Sequence, residues 1–279
     1  ASSAFVIDSG ASVAAGTVPP GFADAAVASF SQPTAVEWLP SDQVVVLEQG
    51  GRVRVGPPDG PFATALTIGN ICPGGERGLL GFTHDPAFLA TGHVYIYYTA
   101  DAPGFPGGCV NRVSRFTMVG NTIQAGTELI LIDNISSVNG NHNGGDLDIG
   151  SDGYLYVAVG DAGRDPRGDS GGAGGNDAAQ DVSLLNGKIL RVTLDGQPAP
   201  GNPFTGPGTV ACGSRGNTPS TPTTTCQEIY AYGLRNPYRI AFNRNDGSGI
   251  FAINDVGQGT REEVNIGAAG ANYGWPIRE

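Results

Sequence analysis

The chain has 279 residues, 26 acidic against 15 basic side chains and a formal charge of −11. An acidic surface of this kind disfavours nucleic acid and anionic membranes as partners, and no apolar run is long enough to span a bilayer. With 39% hydrophobic residues, 45 glycines, 20 prolines and a single methionine, the composition excludes intrinsic disorder and favours many short strands over helices.

Residues 1–33 read as a lead-in, broken by Pro19-Pro20-Gly21-Phe22. From Thr34 onward one theme recurs: a short apolar strand, a turn, a second apolar or aromatic strand, then a strand with alternating Arg. The first instance runs through Thr34–Trp38, Val44–Leu47 and Arg52–Val55. The second comprises Gly78–Phe82, His93–Tyr98, Arg112–Met118 and Leu129–Ile132. The third is a hairpin, Asp146–Ile149 and Tyr154–Val159 around Ser151-Asp152-Gly153, followed by Lys188–Val192. The fourth comprises Glu228–Tyr232, Arg239–Phe242, Gly249–Ile253 and Glu262–Ile266, with Asn272–Pro276 opening a fifth. Sheet units repeating every 50 or so residues predict the blades of a β-propeller, where a β-sandwich would not repeat its strands and exit loops in this way.

Four cysteines, Cys72, Cys109, Cys212 and Cys226, lack the CxxC spacing of a thiolate zinc site. Pairing Cys72 with Cys109 and Cys212 with Cys226 would staple two long loops, and disulfides imply an oxidising compartment. A secreted or periplasmic mature protein, its leader absent from this chain, is therefore expected.

The most informative stretch is 139–163, NGNHNGGDLDIGSDGYLYVAVGDAG. His142, one of three histidines, precedes the hairpin, and Asp161 follows it. A hairpin returns its end to its beginning, so Asp161 is expected near His142, and a carboxylate that fixes an imidazole tautomer is half of a general-base site. The alternative is a surface loop histidine beside an unrelated turn aspartate.

Six phrases in order then carry a family resemblance: GERGLLGFTHDPAF (75–88), HNGGDLDIGSDGYLYVAVGDAG (142–163), AQDVSLLNGKILRV (179–192), EIYAYGLRNPYRIAFN (228–243), DVGQGTREEVN (255–265) and NYGWP (272–276). Together they resemble the soluble quinoprotein sugar dehydrogenases, the glucose/sorbosone dehydrogenase family, over residues 34–279. The resemblance implies an all-β, six-bladed propeller, of which this chain covers about four blades and the start of a fifth. It also implies pyrroloquinoline quinone (PQQ) and Ca²⁺ as cofactors. The reaction implied is oxidation of the C1 hydroxyl of an aldose to a lactone, with hydride passing to the quinone and electrons leaving to an external acceptor. Carried over by motif, His142 is the base, Asp161 its orienting carboxylate, and Arg235 and Asn236 address the quinone oxygens. Glu76 falls where the glucose enzymes carry a glutamine, and Asn141 replaces an acid beside the histidine. Gly257 and Gln258 match the pair whose backbone carbonyls hold the ion that bridges to PQQ. Glu263 and the Tyr273 carbonyl match a second, structural calcium.

Family members continue for roughly two more blades, which carry the basic residues that grip the PQQ carboxylates. The lone Lys188 in NGKIL does not replace them. A C-terminally incomplete chain is the expectation, its ring closed by the remainder, by a second copy or by a partner; open sheet edges would invite association. The second functional reading is a non-catalytic, calcium-stabilised propeller that binds carbohydrate or protein.

Other motifs carry less. GDSGG (168–172), with its overlapping RGD, lacks the histidine context of a protease and reads as a Gly-rich loop. Gly171–Ala178 approximates a calcium repeat only once. Asn134-Ile135-Ser136 is a glycosylation sequon. His84 and His93 read as packing or surface residues, and Trp275 as packing at a blade edge, the alternative being the wall of the sugar site that its place in NYGWP implies.

Overall fold

A computed structural model of the chain describes residues 4–8, 19–22, 24–72, 74–169, 176–213, 223–245 and 247–279. Residues 1–3, 9–18 and 23 of the lead-in, the end of the GDSGG phrase and most of the 171–178 repeat lie outside the described residues. Among those described, the only helical pieces are the single turns Phe88–Thr91 and Pro106–Gly108. The rest is strand and loop.

In chain order, β1 (Ala4–Asp8) pairs in parallel with β2 (Asp24–Ser29). Four successive antiparallel sheets follow, arranged as propeller blades. The first is β3 (Pro33–Trp38), β4 (Val44–Glu48), β5 (Arg52–Gly56) and β6 (Ala63–Thr67). The second is β7 (Leu79–His84), β8 (His93–Asp101), β9 (Cys109–Val119) and β10 (Thr122–Ser136). The third contains β11 (Leu147–Ile149), β12 (Leu155–Val159) and β13 (Lys188–Val192). An insertion then holds the short parallel pair β14 (Thr209–Val210) and β15 (Thr225–Cys226), after which β16 (Ile229–Tyr232) completes the third blade against β13. The fourth is β17 (Pro237–Phe242), β18 (Phe251–Asp255) and β19 (Glu263–Ile266).

The middle strands are apolar throughout because both of their faces are covered. Side chains alternate across a strand. In β8, Val94, Ile96 and Tyr98 join the core layer shared with the first blade, while Tyr95 and Tyr97 join the layer shared with the third. In β12, Leu155, Val157 and Val159 face the second blade, and Tyr156 and Ala158 face the fourth. The core is thus a set of layers between blades, as blade-on-blade packing requires. The outermost β19 instead shows the half-exposed alternation of an edge, with Val264 and Ile266 in solvent.

Two features differ from the sequence reading. Glu228–Tyr232 was expected to open the fourth repeat, yet it is the outer strand of the third. The insertion of some 35 residues between β13 and β16 hides their pairing from any local pattern. The first blade also has a fourth strand, ATALT at 63–67, whose small and polar residues give little periodic signal. Beyond β19 the chain turns back, and Asn272 pairs in parallel with Tyr232 of the third blade. Both expected disulfides, Cys72–Cys109 and Cys212–Cys226, are formed. Among the described residues no helix is long and apolar enough to cross a membrane.

The inner strands β3, β11 and β17 converge on a cleft of about 520 Å³ that holds Glu37, Asp146, Asp148, Arg239 and Arg244. Arg239 donates to the Thr34 carbonyl (2.6 Å) and Arg244 pairs with Asp148. Burial, reinforced by Asp148 and Asp146 and opposed by Arg244, pushes the Glu37 carboxyl from the usual 4.5 up to about 7. The folded state therefore binds this proton more tightly than the unfolded chain, and stability falls as pH rises from 4.5 to about 7. Glu37→Gln should raise the melting temperature at pH 8 and leave it unchanged at pH 4. A gain of equal size at both pH values would show that the carboxyl is not the source.

Candidate active site

His142 lies in the loop that joins the second blade to the third. Its backbone is left-handed, with φ of +51°, a conformation that costs free energy and that surrounding contacts must enforce. Glu76 Oε2 accepts the His142 amide (2.7 Å), and the His142 carbonyl accepts the Ala162 amide (3.2 Å). Asn143, next in the chain, is buried. Its Oδ1 accepts from Ser137 Oγ (2.7 Å) and Asn111 Nδ2 (3.1 Å), and its carbonyl accepts from Tyr97 Oη (2.8 Å). Gly160, at the end of β12, runs so close that a Cβ there would fall 2.1 Å from the His142 carbonyl oxygen. The imidazole is thereby presented from an over-determined loop.

Asp161 follows Gly160 and is 1% exposed. Its Oδ1 accepts from His142 Nδ1 (2.7 Å) and from the Gly163 amide (2.7 Å), while Oδ2 accepts from Trp275 Nε1 (2.7 Å). The hairpin that folds β12 back onto β11 does return the carboxylate to the histidine loop, in register Ile149 opposite Leu155. With Nδ1–H donating to Asp161, His142 Nε2 carries the lone pair, and among the described residues nothing hydrogen-bonds to it.

Arg235 leaves the third blade just after β16. Its amide donates to Asp255 Oδ2 (2.9 Å), its carbonyl accepts the Asp161 amide (2.8 Å), and Nη1 donates to the Val256 carbonyl (3.1 Å). The guanidinium stands 5.4 Å from the centre of the Trp275 ring, within cation–π range. Its Nε is buried and without a partner among the described residues.

A cleft of about 640 Å³ gathers Asn141, His142, Asp161, Arg235, Gln258 and Trp275 on one wall set. Five of the residues expected from the sequence thus meet there. Glu76, Asn236, Gly257, Glu263 and Tyr273 do not line it. Glu76 holds the histidine backbone from outside. Asn236 is buried, and its Oδ1 accepts the Gly144 amide (2.9 Å), so it braces the same loop from the other side. Gly257 sits beside Gln258 in the loop after β18, in a turn so tight that a Cβ would meet the Arg261 carbonyl at 1.6 Å. Glu263 accepts from Asn265 Nδ2 (3.1 Å), and the Tyr273 hydroxyl donates to the Ile266 carbonyl (2.7 Å).

Trp275 is more than packing, since its indole N–H completes the Asp161 shell. Asp255 also escaped the sequence reading. It accepts the amides of both Arg235 and Asn236, and burial pushes its carboxyl up to about 6 against those two hydrogen bonds. Its signal was its place in DVGQ, at the end of an apolar strand. Lys188 is fully buried below the site, donating to the carbonyls of Ala178 (2.8 Å), Ala179 (3.1 Å) and Asn186 (2.5 Å). His84 and His93 pack beside Asp85, away from the cleft.

Fold and cleft together define a β-propeller with a histidine–carboxylate pair, an arginine and a tryptophan gathered at its blade-exit loops. The profile of the glucose/sorbosone dehydrogenase family matches residues 30–279, and the chain belongs to that family. It is 27% identical over 268 residues to quinoprotein glucose dehydrogenase B of Acinetobacter calcoaceticus, covering 90% of this chain and 51% of that protein. It is 27% identical over 251 residues to aldose sugar dehydrogenase YliI of Escherichia coli (strain K12), covering 89% and 60%. The chain therefore spans between half and three fifths of those relatives. Among solved structures, the PQQ-bound aldose sugar dehydrogenase of Streptomyces coelicolor superposes with a TM-score of 0.68 at 29% identity, covering 89% of this chain and 63% of that one. Mouse hedgehog-interacting protein is 27% identical over 218 residues, 74% of this chain and 29% of that protein.

Proposed function

We propose that the protein is a PQQ-dependent aldose dehydrogenase that oxidises the C1 hydroxyl of a sugar to the lactone. The observation that carries this reading is the 2.7 Å contact between His142 Nδ1 and Asp161 Oδ1 at the wall of a cleft. It leaves Nε2 as an oriented base, and it sits within the family of sugar dehydrogenases. PQQ, when bound, supplies the two-electron oxidising power. The chain's residues then do the rest. His142 Nε2 takes the hydroxyl proton as the C1 hydrogen departs, and Asp161 stabilises the imidazolium that forms. Arg235 offers charge to a developing oxyanion. Trp275 walls the cleft and keeps water from the carboxylate.

The residues present fit both cofactors. The orphaned, buried Arg235 Nε is a donor that an anionic quinone oxygen would satisfy. The carbonyl oxygens of Gly257 and Gln258 accept from no donor among the described residues, and paired carbonyls on a tight turn are hard ligands of the kind Ca²⁺ takes. The Gly257 and Gln258 carbonyls would hold one calcium, and Glu263 with the Tyr273 carbonyl a second. Arg235 and Asn141 would face PQQ, with Glu76 and Asn236 bracing the histidine loop. An oxidising compartment, secreted or periplasmic, fits the two disulfides.

The direct test titrates the purified protein with PQQ and Ca²⁺ and follows dye reduction with glucose and other aldoses. Arg235→Ala should weaken PQQ binding and lower turnover together, because both use its charge; unchanged PQQ affinity would remove Arg235 from the cofactor. The second reading, a propeller kept as a binding module, draws on the similarity to hedgehog-interacting protein. It predicts ligand binding with no dye reduction at any PQQ concentration.

A further inference from the structure

The loop between β18 and β19 is held along one side by two carboxylates. Glu279 Oε1 accepts the amides of Gln258 (2.5 Å), Gly259 (2.9 Å) and Thr260 (3.1 Å). Glu262 Oε2 accepts the amide of Gly257 (3.1 Å). All four peptide units are trans, and in a planar trans unit the N–H and the preceding C=O point in opposite directions. The first unit shows the consequence. With the Gly257 amide on Glu262, the Val256 carbonyl is turned away from it and accepts from Arg235 Nη1 at 3.1 Å.

The same logic applies one residue on. Because the amides of Gln258 and Gly259 are committed to Glu279, the carbonyls of Gly257 and Gln258 must point away from it. Neither oxygen meets a donor among the described residues, and the Gly259 carbonyl, turned the same way by the Thr260 amide, meets none either. We propose that Glu279 is a positioning residue, clamping the amide side of residues 257–260 so that the Gly257 and Gln258 carbonyls are presented together as a ligand pair for a divalent cation. This rests on the calcium reading above and adds a residue to it. The carboxylate suits the task, since one of its oxygens accepts three successive amides at once. Gly257 suits it as well, because any side chain there would collide with the Arg261 carbonyl and spread the turn.

The test compares wild type, Glu279→Gln and Glu279→Ala by two readouts, neither of which is activity. Amide hydrogen exchange is measured at Gln258, Gly259 and Thr260 in the metal-free protein. Ca²⁺ affinity is measured by calorimetry in a Glu263→Ala background, which removes the carboxylate of the other candidate calcium position. Glu279→Ala should speed exchange at those amides and weaken Ca²⁺ binding, each by about ten-fold or more, the worth of one charge-assisted hydrogen bond. Glu279→Gln keeps an oxygen acceptor and should stay within about three-fold of wild type in Ca²⁺ affinity. Equal loss in the Gln and Ala variants would overturn the clamp in favour of simple charge attraction, and unchanged exchange in the Ala variant would overturn it outright. If the unsubstituted protein takes up no Ca²⁺ at all, the calcium reading itself falls. If it binds and Glu279→Ala binds equally well, only the role of Glu279 falls.

Discussion

Replacing His142 by alanine should lower sugar-dependent dye reduction by about 10²–10⁴-fold, the usual contribution of a positioned general base, while PQQ binding is retained. The argument is geometric. Among the described residues no donor meets its Nε2, and its other nitrogen is tied at 2.7 Å to a carboxylate that is 1% exposed. Because residue 142 has φ of +51°, His142→Asn is the better-matched companion variant, since Asn tolerates the left-handed region more readily than Ala. Both should fall to the same floor. Asp161→Asn should lose turnover too, with the pH profile displaced because the orienting charge is gone. Loss of PQQ binding in step with turnover would instead make His142 a structural residue of the loop. Retention of more than a tenth of wild-type turnover by both His142 variants would remove it from the chemistry.

Lys188→Met should lower thermal stability markedly, although the residue lies away from the cleft wall. The ammonium has three N–H donors, and the carbonyls of Ala178, Ala179 and Asn186 take one each in a fully buried space. Methionine fills the volume but donates nothing, leaving the Ala178 and Asn186 carbonyls without partners, while the Ala179 carbonyl keeps the Gly233 amide (2.9 Å). At 1–3 kcal/mol for each orphaned group, with some relaxation, the loss is about 3 kcal/mol. That corresponds to a fall of about 10 °C in melting temperature for a domain of this size. Replacing a buried charge with an apolar side chain can be neutral or better when its partners are replaced too; backbone carbonyls cannot be. A melting temperature within 2 or so degrees of wild type would mean that water or a backbone shift satisfies them.

The blade frame was legible because its strongest strands have both faces buried. VVVLE at 44–48 and LYVAV at 155–159 are buried at every position, so they stand out as unbroken apolar runs. The His142–Asp161 contact was legible for a local reason: a short hairpin with a Ser-Asp-Gly turn must bring its two ends together. Where the outcome depended on distant partners, the sequence was silent. β16 was assigned to the wrong blade because its partner lies across a long insertion. Trp275 meets Asp161 at a separation of 114 residues, and NYGWP alone reads as packing. Glu279 looks like an ordinary exposed acid until the three amides around it are seen. Asp255 shows a middle case, since its strand was recognised but not the two amides it caps. The calcium and PQQ assignments came from resemblance, with no periodicity or spacing behind them.

The closeness of Gly160 to the His142 carbonyl bears on how this scaffold could be retargeted. A Cβ on Gly160 would fall 2.1 Å from that oxygen, leaving no room for even a methyl group, and a Cβ on Gly75 would fall 2.3 Å from the Gly140 carbonyl on the opposite flank of the same loop. The base is seated on main chain pressed against main chain, which leaves an engineer nothing to vary beneath it. Under the proposed function, a change in substrate preference would be sought across the cleft from that loop, at the exposed side chain of Ile277.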